Sequence, residues 1–260
     1  LVREGLTVLK LGGSVITKKD EVMTANELAI KRLAKEIGGA RVSPLLIVHG
    51  GGSFGHPLAK KYLNAMGMMP PTGFSGVHQA MMGLNQLLLN ALISESVPAV
   101  SLPPSSFTLM KRGKIQFLNI DLITDYLNAS IVPVLYGDVV LDQEAGFSIL
   151  SGDKIVAELA ISLNAMRVVI GIDVDGLFTS DPKVDPNARF IDRISVKDLR
   201  RLKIGPSRSI DVTGGMKKKV EELAKVAGYG CHVFMVNALK AKRVYKALRG
   251  EKVVGTIIGK

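Results

Sequence analysis

A single cysteine, Cys231, stands in 260 residues, so no disulfide can form within the chain, and no grouping of cysteines with histidines has the spacing of a zinc site. Tryptophan is missing and only 5% of the residues are aromatic. The core therefore has to be aliphatic, as it is where helices cover a parallel sheet. No apolar stretch reaches the roughly 20 residues that span a bilayer, and no basic-then-apolar leader is visible. These absences predict a cytoplasmic protein with no membrane partner. Acidic residues are the scarcer sign, 23 Asp+Glu against 34 Lys+Arg, for a net charge of +11. Such an excess admits nucleic acid as a partner. The charges are spread along the chain, however, with dense groups only at Lys217-Lys218-Lys219 and from Lys240 to Arg249, and no aromatics interleave with them. A basic field that steers a polyphosphate substrate explains the excess equally well, and no nucleic-acid partner is expected.

What the chain does contain is alternation. Apolar runs at Leu6–Leu11, Leu45–Val48, Ala99–Leu102, Ile131–Tyr136 and Arg167–Ile172 read as strands. Helix-period segments lie at Asn26–Ile37, Val77–Ile93, Asp121–Leu127, Gly152–Leu163 and Met216–Ala227. Strand and helix taken in turn predict an α/β fold with a mainly parallel sheet and helices on both faces. Between Asp138 and Ser151, two short alternating runs flank Gln143-Glu144-Ala145-Gly146, the pattern of a hairpin. The segment Val77–Ile93 is apolar on most sides, which predicts a helix buried at a subunit interface or under a ligand pocket.

Glycine turns carry the chemical signal. His49-Gly-Gly-Gly-Ser-Phe-Gly-His56 follows a strand-like run. Bare backbone N–H groups at a strand end, followed by a helix start, make a cradle for an anion. A histidine at each end is expected to add a side-chain donor. Gly50, Gly52 and Gly55 also satisfy the spacing of a dinucleotide fingerprint, but neither a strand nor an acid stands about 20 residues on, where a ribose would need one. A Gly-Lys-Ser/Thr phosphate loop is also missing. Lys10-Leu11-Gly12-Gly13-Ser14 repeats the theme, with Lys18 and Lys19 close behind. Asp173-Val-Asp-Gly176 ends another strand, and its spacing does not suit an EF-hand. Ser151-Gly152-Asp153 opens a helix, where either polar side chain can serve as a cap. Asp211-Val-Thr-Gly-Gly215 opens a helix that carries three lysines in its first turns, against the preference of the helix dipole unless an anion sits there. Glycine turns with lysines at several strand ends suit phosphoryl transfer, in which two anionic partners must be positioned and charge neutralised.

Lys10-x-Gly-Gly-Ser, His-Gly-Gly-Gly, Tyr136-Gly-Asp, Ser151-Gly-Asp, Asp173-Val-Asp-Gly, Asp181-Pro and Thr213-Gly-Gly together resemble the amino acid kinase superfamily, in its order and over nearly the whole chain. Gly-Gly-Ser-Val-Ile-Thr at 12–17 and Gly-Ser-Phe-Gly-His at 52–56 are most similar to its isopentenyl phosphate kinase branch. The resemblance implies one domain over 1–260, with an acceptor-phosphate lobe near 1–150 and a nucleotide lobe near 151–260. It also implies a three-layer αβα sandwich with a hairpin over the acceptor. The implied reaction moves the ATP γ-phosphoryl group to isopentenyl phosphate, with Mg²⁺ carried mainly on ATP, in a homodimeric enzyme of isoprenoid biosynthesis. Other superfamily members take other phosphate or phosphonate acceptors such as fosfomycin, and a silent ATP-binding regulator is a further alternative.

The same resemblance distributes roles. Lys10, Gly12, Gly13, Ser14 and Gly51 hold the ATP phosphates, and Lys19 stabilises the transition state. Asp173, Asp175, Gly176, Phe178, Asp181, Gly214, Gly215, Lys218 and Lys219 line the nucleotide side. Lys218 is placed on the γ-phosphate, with Lys219 the alternative because Lys217 stands where relatives often have glycine. Gly50, Gly51, Gly52, Gly55 and His56 receive the acceptor phosphate. Gly137, Ser151, Gly152 and Asp153 order that site, Asp153 through lysine contacts. An apolar tail pocket is expected from Phe74, Val77, Met81, Val139 and Ile149.

Overall fold

The computed structural model describes residues 5–63, 69–180, 182, 184–201 and 215–259. The first half opens with β1 (Thr7–Leu11), the single-turn α1 (Gly13–Ile16), α2 (Glu27–Ala40) and β2 (Leu45–His49). It continues through α3 (Gly52–Tyr62), α4 (Pro71–Ser94), β3 (Ala99–Ser101) and a 3-10 turn at Pro104–Ser106. Next come β4 (Thr108–Lys111), β5 (Lys114–Leu118), α5 (Ile120–Asn128) and β6 (Val132–Tyr136), then the hairpin of β7 (Asp138–Asp142) and β8 (Gly146–Leu150).

The second half runs α6 (Gly152–Ser162), β9 (Arg167–Ile172), β10 (Leu177–Phe178), β11 (Phe190–Ile191), β12 (Arg193–Ser195) and α7 (Val196–Arg201). It closes with α8 (Gly215–Gly228), β13 (His232–Asn237), α9 (Arg243–Arg249) and β14 (Gly255–Gly259). Polar side chains start several helices as the sequence leads one to expect. Asn26, Asn119 and Ser151 each accept a hydrogen bond from a backbone N–H of the first turn, satisfying donors that the helix itself cannot.

One eight-stranded sheet, ordered β12-β14-β13-β9-β1-β2-β6-β3, runs through both halves of the chain. It is parallel from β13 to β3, and β14 turns antiparallel to β13. Strand residues alternate between two cores. Val8, Leu46 and Val48 face α5, α6, α7 and α8, whereas Leu9, Leu11, Leu45 and Ile47 face α2, α3, α4 and α9. This is the expected three-layer αβα sandwich. A second sheet, β5-β4-β7-β8, carries the predicted hairpin, and the β4–β5 pair beside it had no clear alternation in the sequence to betray it.

Helix α4 is buried on one side within this chain. Val77, Met81, Leu84, Leu88 and Leu92 are buried, but Met82, Leu87 and Ile93 remain 41%, 39% and 57% exposed. The exposed side also carries Gln79, Gln86 and Asn90.

Candidate active site

The two glycine turns follow neighbouring strands. β1 and β2 pair in register, Lys10 with Val48 and Leu11 with His49, so the turns after them emerge side by side at the same edge of the sheet. There they pack backbone to backbone. A Cβ on Gly13 would lie 2.2 Å from the Gly52 nitrogen, and Gly52 itself takes φ +49° with only 2.7 Å from an added Cβ to the Gly13 carbonyl oxygen. No side chain other than glycine permits this approach. Thr17 stitches the turns together, its hydroxyl donating to the Gly13 carbonyl at 2.8 Å and accepting from the Ser53 N–H at 3.0 Å. Helices α1 and α3 start at these turns on Gly12 and Gly51, neither with a side-chain cap. The positive end of α3 therefore faces the space above the turns with the Thr17 hydroxyl on its Ser53 N–H and no cap from Gly51 itself.

Cations surround that space. Lys10, near the end of β1, is buried, and its ammonium meets Asp153 Oδ1 at 2.5 Å. Asp153 lies in the first turn of α6, and Lys219 from α8 contacts both of its oxygens at 2.8 Å. Burial pushes the Lys10 ammonium below the ordinary lysine value; the Asp153 charge opposes this and that of Lys219 adds to it. Burial would raise the Asp153 carboxyl, but the charges of Lys10 and Lys219 overcome it and hold the group well below the usual range. One carboxylate thus holds two ammonium groups together. The turn between β6 and β7 closes in at Gly137, where an added Cβ would lie 3.1 Å from the Gly152 nitrogen. Lys19 meets Asp173 Oδ2, just past β9, at 2.8 Å, whereas Lys18 pairs with Glu21 in solvent.

One expectation, that for His49, needs correction. His49 does not point at the cradle. It is fully buried, its Nε2 lies 3.2 Å from Asn85 Oδ1 of α4, its ring stacks on Tyr136, and burial lowers its pKa to about 4. A side chain at a strand end alternates with its neighbours, and the Leu45, Ile47, His49 face belongs to the core. Lys218, expected on the nucleotide, is exposed, while Lys219 one position on reaches Asp153. A helix turns 100° per residue, so a register slip of one changes the face. Ser151 spends its hydroxyl on the Lys154 N–H as the cap of α6. Met81 packs under the glycine loop, in the same hydrophobic cluster as Val77 and Val139. Its sulfur would stand 3.0 Å and 3.1 Å from a Cβ on Gly51 and on Gly55.

The remaining predicted residues fall as follows. Gly12, Gly13 and Ser14 begin α1; Gly50 and Gly51 form the second turn; Gly52, Gly55 and the half-buried His56 lie in the first turns of α3. Asp173 and Asp175 follow β9. The Asp175 carboxylate accepts from Asn237 at 2.9 Å and from Arg243 at 2.7 Å, which fixes the loop. Gly176, at φ +151°, lets this loop pass against Thr256 of β14. Phe178 packs edge-on to Phe190 with ring centroids 5.5 Å apart. Gly215 starts α8. Asp181 and Gly214 lie outside the described residues.

Phe74, Val77, Val139 and Ile149 share one hydrophobic cluster between α4 and the hairpin. Val139 and Ile149 are direct cross-strand partners, so their side chains share a face. Phe147, with its ring 5.0 Å from Phe74, completes the group and was missed in the sequence. It belongs to the same face as Ile149 by the period of two, which was the available signal. Among the described residues, no group of three or more His, Cys, Asp or Glu side chains converges as a metal cage, and no helix is long and apolar enough to cross a membrane.

Comparison with known proteins places these features in a family context. Residues 5–237 match the model of the amino acid kinase family. The isopentenyl phosphate kinase of Methanothermobacter thermautotrophicus is 42% identical over 97% of this chain and 98% of its own. An X-ray structure of an isopentenyl phosphate kinase superposes with a TM-score of 0.86 at 38% identity, over 97% of this chain and all of the other. A substrate complex of an isopentenyl phosphate kinase gives 0.81 at 31% identity, over 98% of this chain and 99% of the other.

Proposed function

Because the chain belongs to the amino acid kinase family, we propose that it transfers the γ-phosphoryl group of ATP to the phosphate of isopentenyl phosphate, giving isopentenyl diphosphate. The observation that carries this reading is the backbone contact of the two glycine turns at Gly13 and Gly52. Two phosphate cradles in contact, ringed by Lys10, Lys19 and Lys219, suit direct transfer between two bound phosphates. The acceptor phosphate is already an anionic nucleophile, so the site needs no general base. Its task is to bring two like charges together and to stabilise the charge that spreads over the moving group.

Lys10 and Lys219 supply that stabilisation from the sheet side, held at fixed separation by Asp153. Lys19 supplies it as well, after leaving Asp173. Gly12, Gly13 and Ser14 hold the donor phosphates through backbone N–H groups. Gly50, Gly51 and His56 hold the acceptor phosphate. The Asp173–Phe178 loop and the start of α8 flank the rest of the nucleotide. Mg²⁺, which neutralises triphosphate charge when bound, has no protein cage among the described residues and is assigned to the nucleotide oxygens. The five-carbon tail enters the apolar cluster of Phe74, Val77, Val139, Phe147 and Ile149, where selectivity comes from depth and fit.

The enzyme is further assigned as a cytoplasmic homodimer, the exposed Met82 and Ile93 on one face of α4 supplying the apolar contact. The test of the activity is ATP consumption with isopentenyl phosphate, dimethylallyl phosphate, fosfomycin, acetylglutamate and UMP in parallel. Turnover greatest with isopentenyl phosphate is the expected result. Preference for fosfomycin, or no turnover with any acceptor, would replace it with a phosphonate kinase or a silent nucleotide-binding protein.

A further inference from the structure

Phe74, His78, Met81 and Asn85 recur at helical spacing along α4 and so form one stripe. Asn85 holds His49 and Met81 supports the glycine loop, so His78 lies one turn further on, toward the tail pocket. Phosphoryl transfer makes no use of it. Its Nδ1 lies 2.9 Å and 3.2 Å from the two carboxylate oxygens of Asp138, and Ser105 Oγ lies 3.4 Å from the same nitrogen. An ionised carboxylate only accepts, so Nδ1 carries the proton and donates it.

The Asp138 side chain is completely buried, whereas that of His78 is 24% exposed. Asp138 also accepts from the Val139 N–H at 2.9 Å, which fixes its carboxylate at the start of β7. The ring of His78 stacks on Phe74 at 6.2 Å, and Phe74 packs on Phe147 of β8. A polar link to β7 and an aromatic link to β8 therefore tie α4 to both strands of the hairpin. Burying a carboxylate is a poor route to stability, because an apolar pair of similar volume commonly serves as well. A hydrogen bond to a fixed carboxylate has direction, however, and it permits one position of the helix against the strand where apolar packing permits several.

We propose that His78 and Asp138 are positioning residues that hold the β7–β8 hairpin against α4 and thereby set the depth of the tail pocket, and with it the chain length of the phosphorylated alcohol accepted. The inference rests on the tail pocket assigned under the proposed activity. It makes His78 a determinant of selectivity that never touches a reacting atom.

The test compares wild type with His78→Ala, His78→Asn and His78→Gln. The asparagine amide nitrogen falls near the position of histidine Nδ1, whereas the glutamine nitrogen reaches out like Nε2. The alanine and glutamine variants are expected to raise the KM for isopentenyl phosphate about tenfold, the equivalent of roughly 1.4 kcal/mol. Their KM for ATP stays near that of wild type, and their kcat/KM ratio of geranyl to isopentenyl phosphate rises. The asparagine variant recovers most of the selectivity. An unchanged ratio in His78→Ala, or a joint rise of both KM values with a fall in Tm, would overturn the proposal in favour of a merely structural pair. Hydrogen exchange of the hairpin amides at 138–150 reads the latch with no substrate present. Faster exchange confined to the hairpin in His78→Ala supports it. Unchanged exchange overturns it, whichever acceptor the enzyme uses, so a failure of the activity assignment stays separate from a failure of the latch.

Discussion

At the scale of single residues, the site is an exercise in placing like charges. Lys10 and Lys219 would repel each other in an apolar surrounding, and Asp153, in contact with both, makes the pair tolerable. Lys10→Ala and Lys19→Ala are each expected to lower kcat by the equivalent of about 2.7–4 kcal/mol, the usual size for a lost transition-state donor. Steady-state kinetics at saturating ATP and acceptor check this, and a kcat near wild type in either variant removes that lysine from the transition state. Lys219→Ala is expected to damage ATP use far more than Lys218→Ala, because only Lys219 reaches Asp153. The reverse order would mean that the nucleotide is held from the exposed face of α8. His56, at the end of the glycine loop, is expected to act on the acceptor alone, so His56→Ala should raise the acceptor KM while leaving that of ATP nearly intact.

At the scale of elements, helix α4 does three jobs along one stripe. Its Met81 supports the glycine loop, its His78 meets Asp138 of the hairpin, and its Phe74 and Val77 belong to the proposed tail pocket. Those jobs separate in mutants. Phe74→Ala, facing Phe147 across the pocket, is expected to open space for a ten-carbon prenyl phosphate. Each methylene newly buried is worth about 0.8 kcal/mol, so the kcat/KM ratio of geranyl to isopentenyl phosphate should rise well above wild type. No change in that ratio would place the tail elsewhere. Met81→Ala should behave differently. Deleting a fully buried side chain costs roughly 2–5 kcal/mol, and here the cavity lies beneath Gly51 and Gly55. The expected result is a lower Tm together with weaker binding of both phosphates, rather than a longer accepted tail; a normal Tm with a selectivity change would reverse that assignment.

At the scale of the whole molecule, the sheet carries the site. The first half of the chain supplies β1, β2, β3 and β6, the second supplies β9, β12, β13 and β14, and the halves meet where β1 pairs with β9. Both halves therefore share one sheet, with the proposed acceptor elements beside β2 and β6 and the proposed nucleotide elements beside β9 and β13. Met82 and Ile93, exposed on one face of α4, are the apolar contact through which a second copy is expected to associate. Sedimentation or light scattering should find a dimer that Ile93→Glu weakens. A monomeric wild type would leave this pair with another purpose.

The sequence by itself determined the layers, the glycine turns and the kind of chemistry. Aliphatic runs ending in glycine, taken in turn with 3.6-period segments, allow few arrangements, and strand-end glycines beside lysines have few uses other than holding anions. Short strands such as β10, β11 and β12 were not legible, because two or three residues at a sheet margin take their conformation from their neighbours rather than from their own pattern. Tertiary structure alone decided which side chains converge. That Lys219 rather than Lys218 meets Asp153 turns on the rotation of α8, and the inward face of His49 turns on the phase of β2. The contacts of Lys10 with Asp153 and of His78 with Asp138 join residues 143 and 60 positions apart. No local pattern encodes such meetings. They follow from how the sheet orders its strands and how each helix settles on it, which is a property of packing among distant segments.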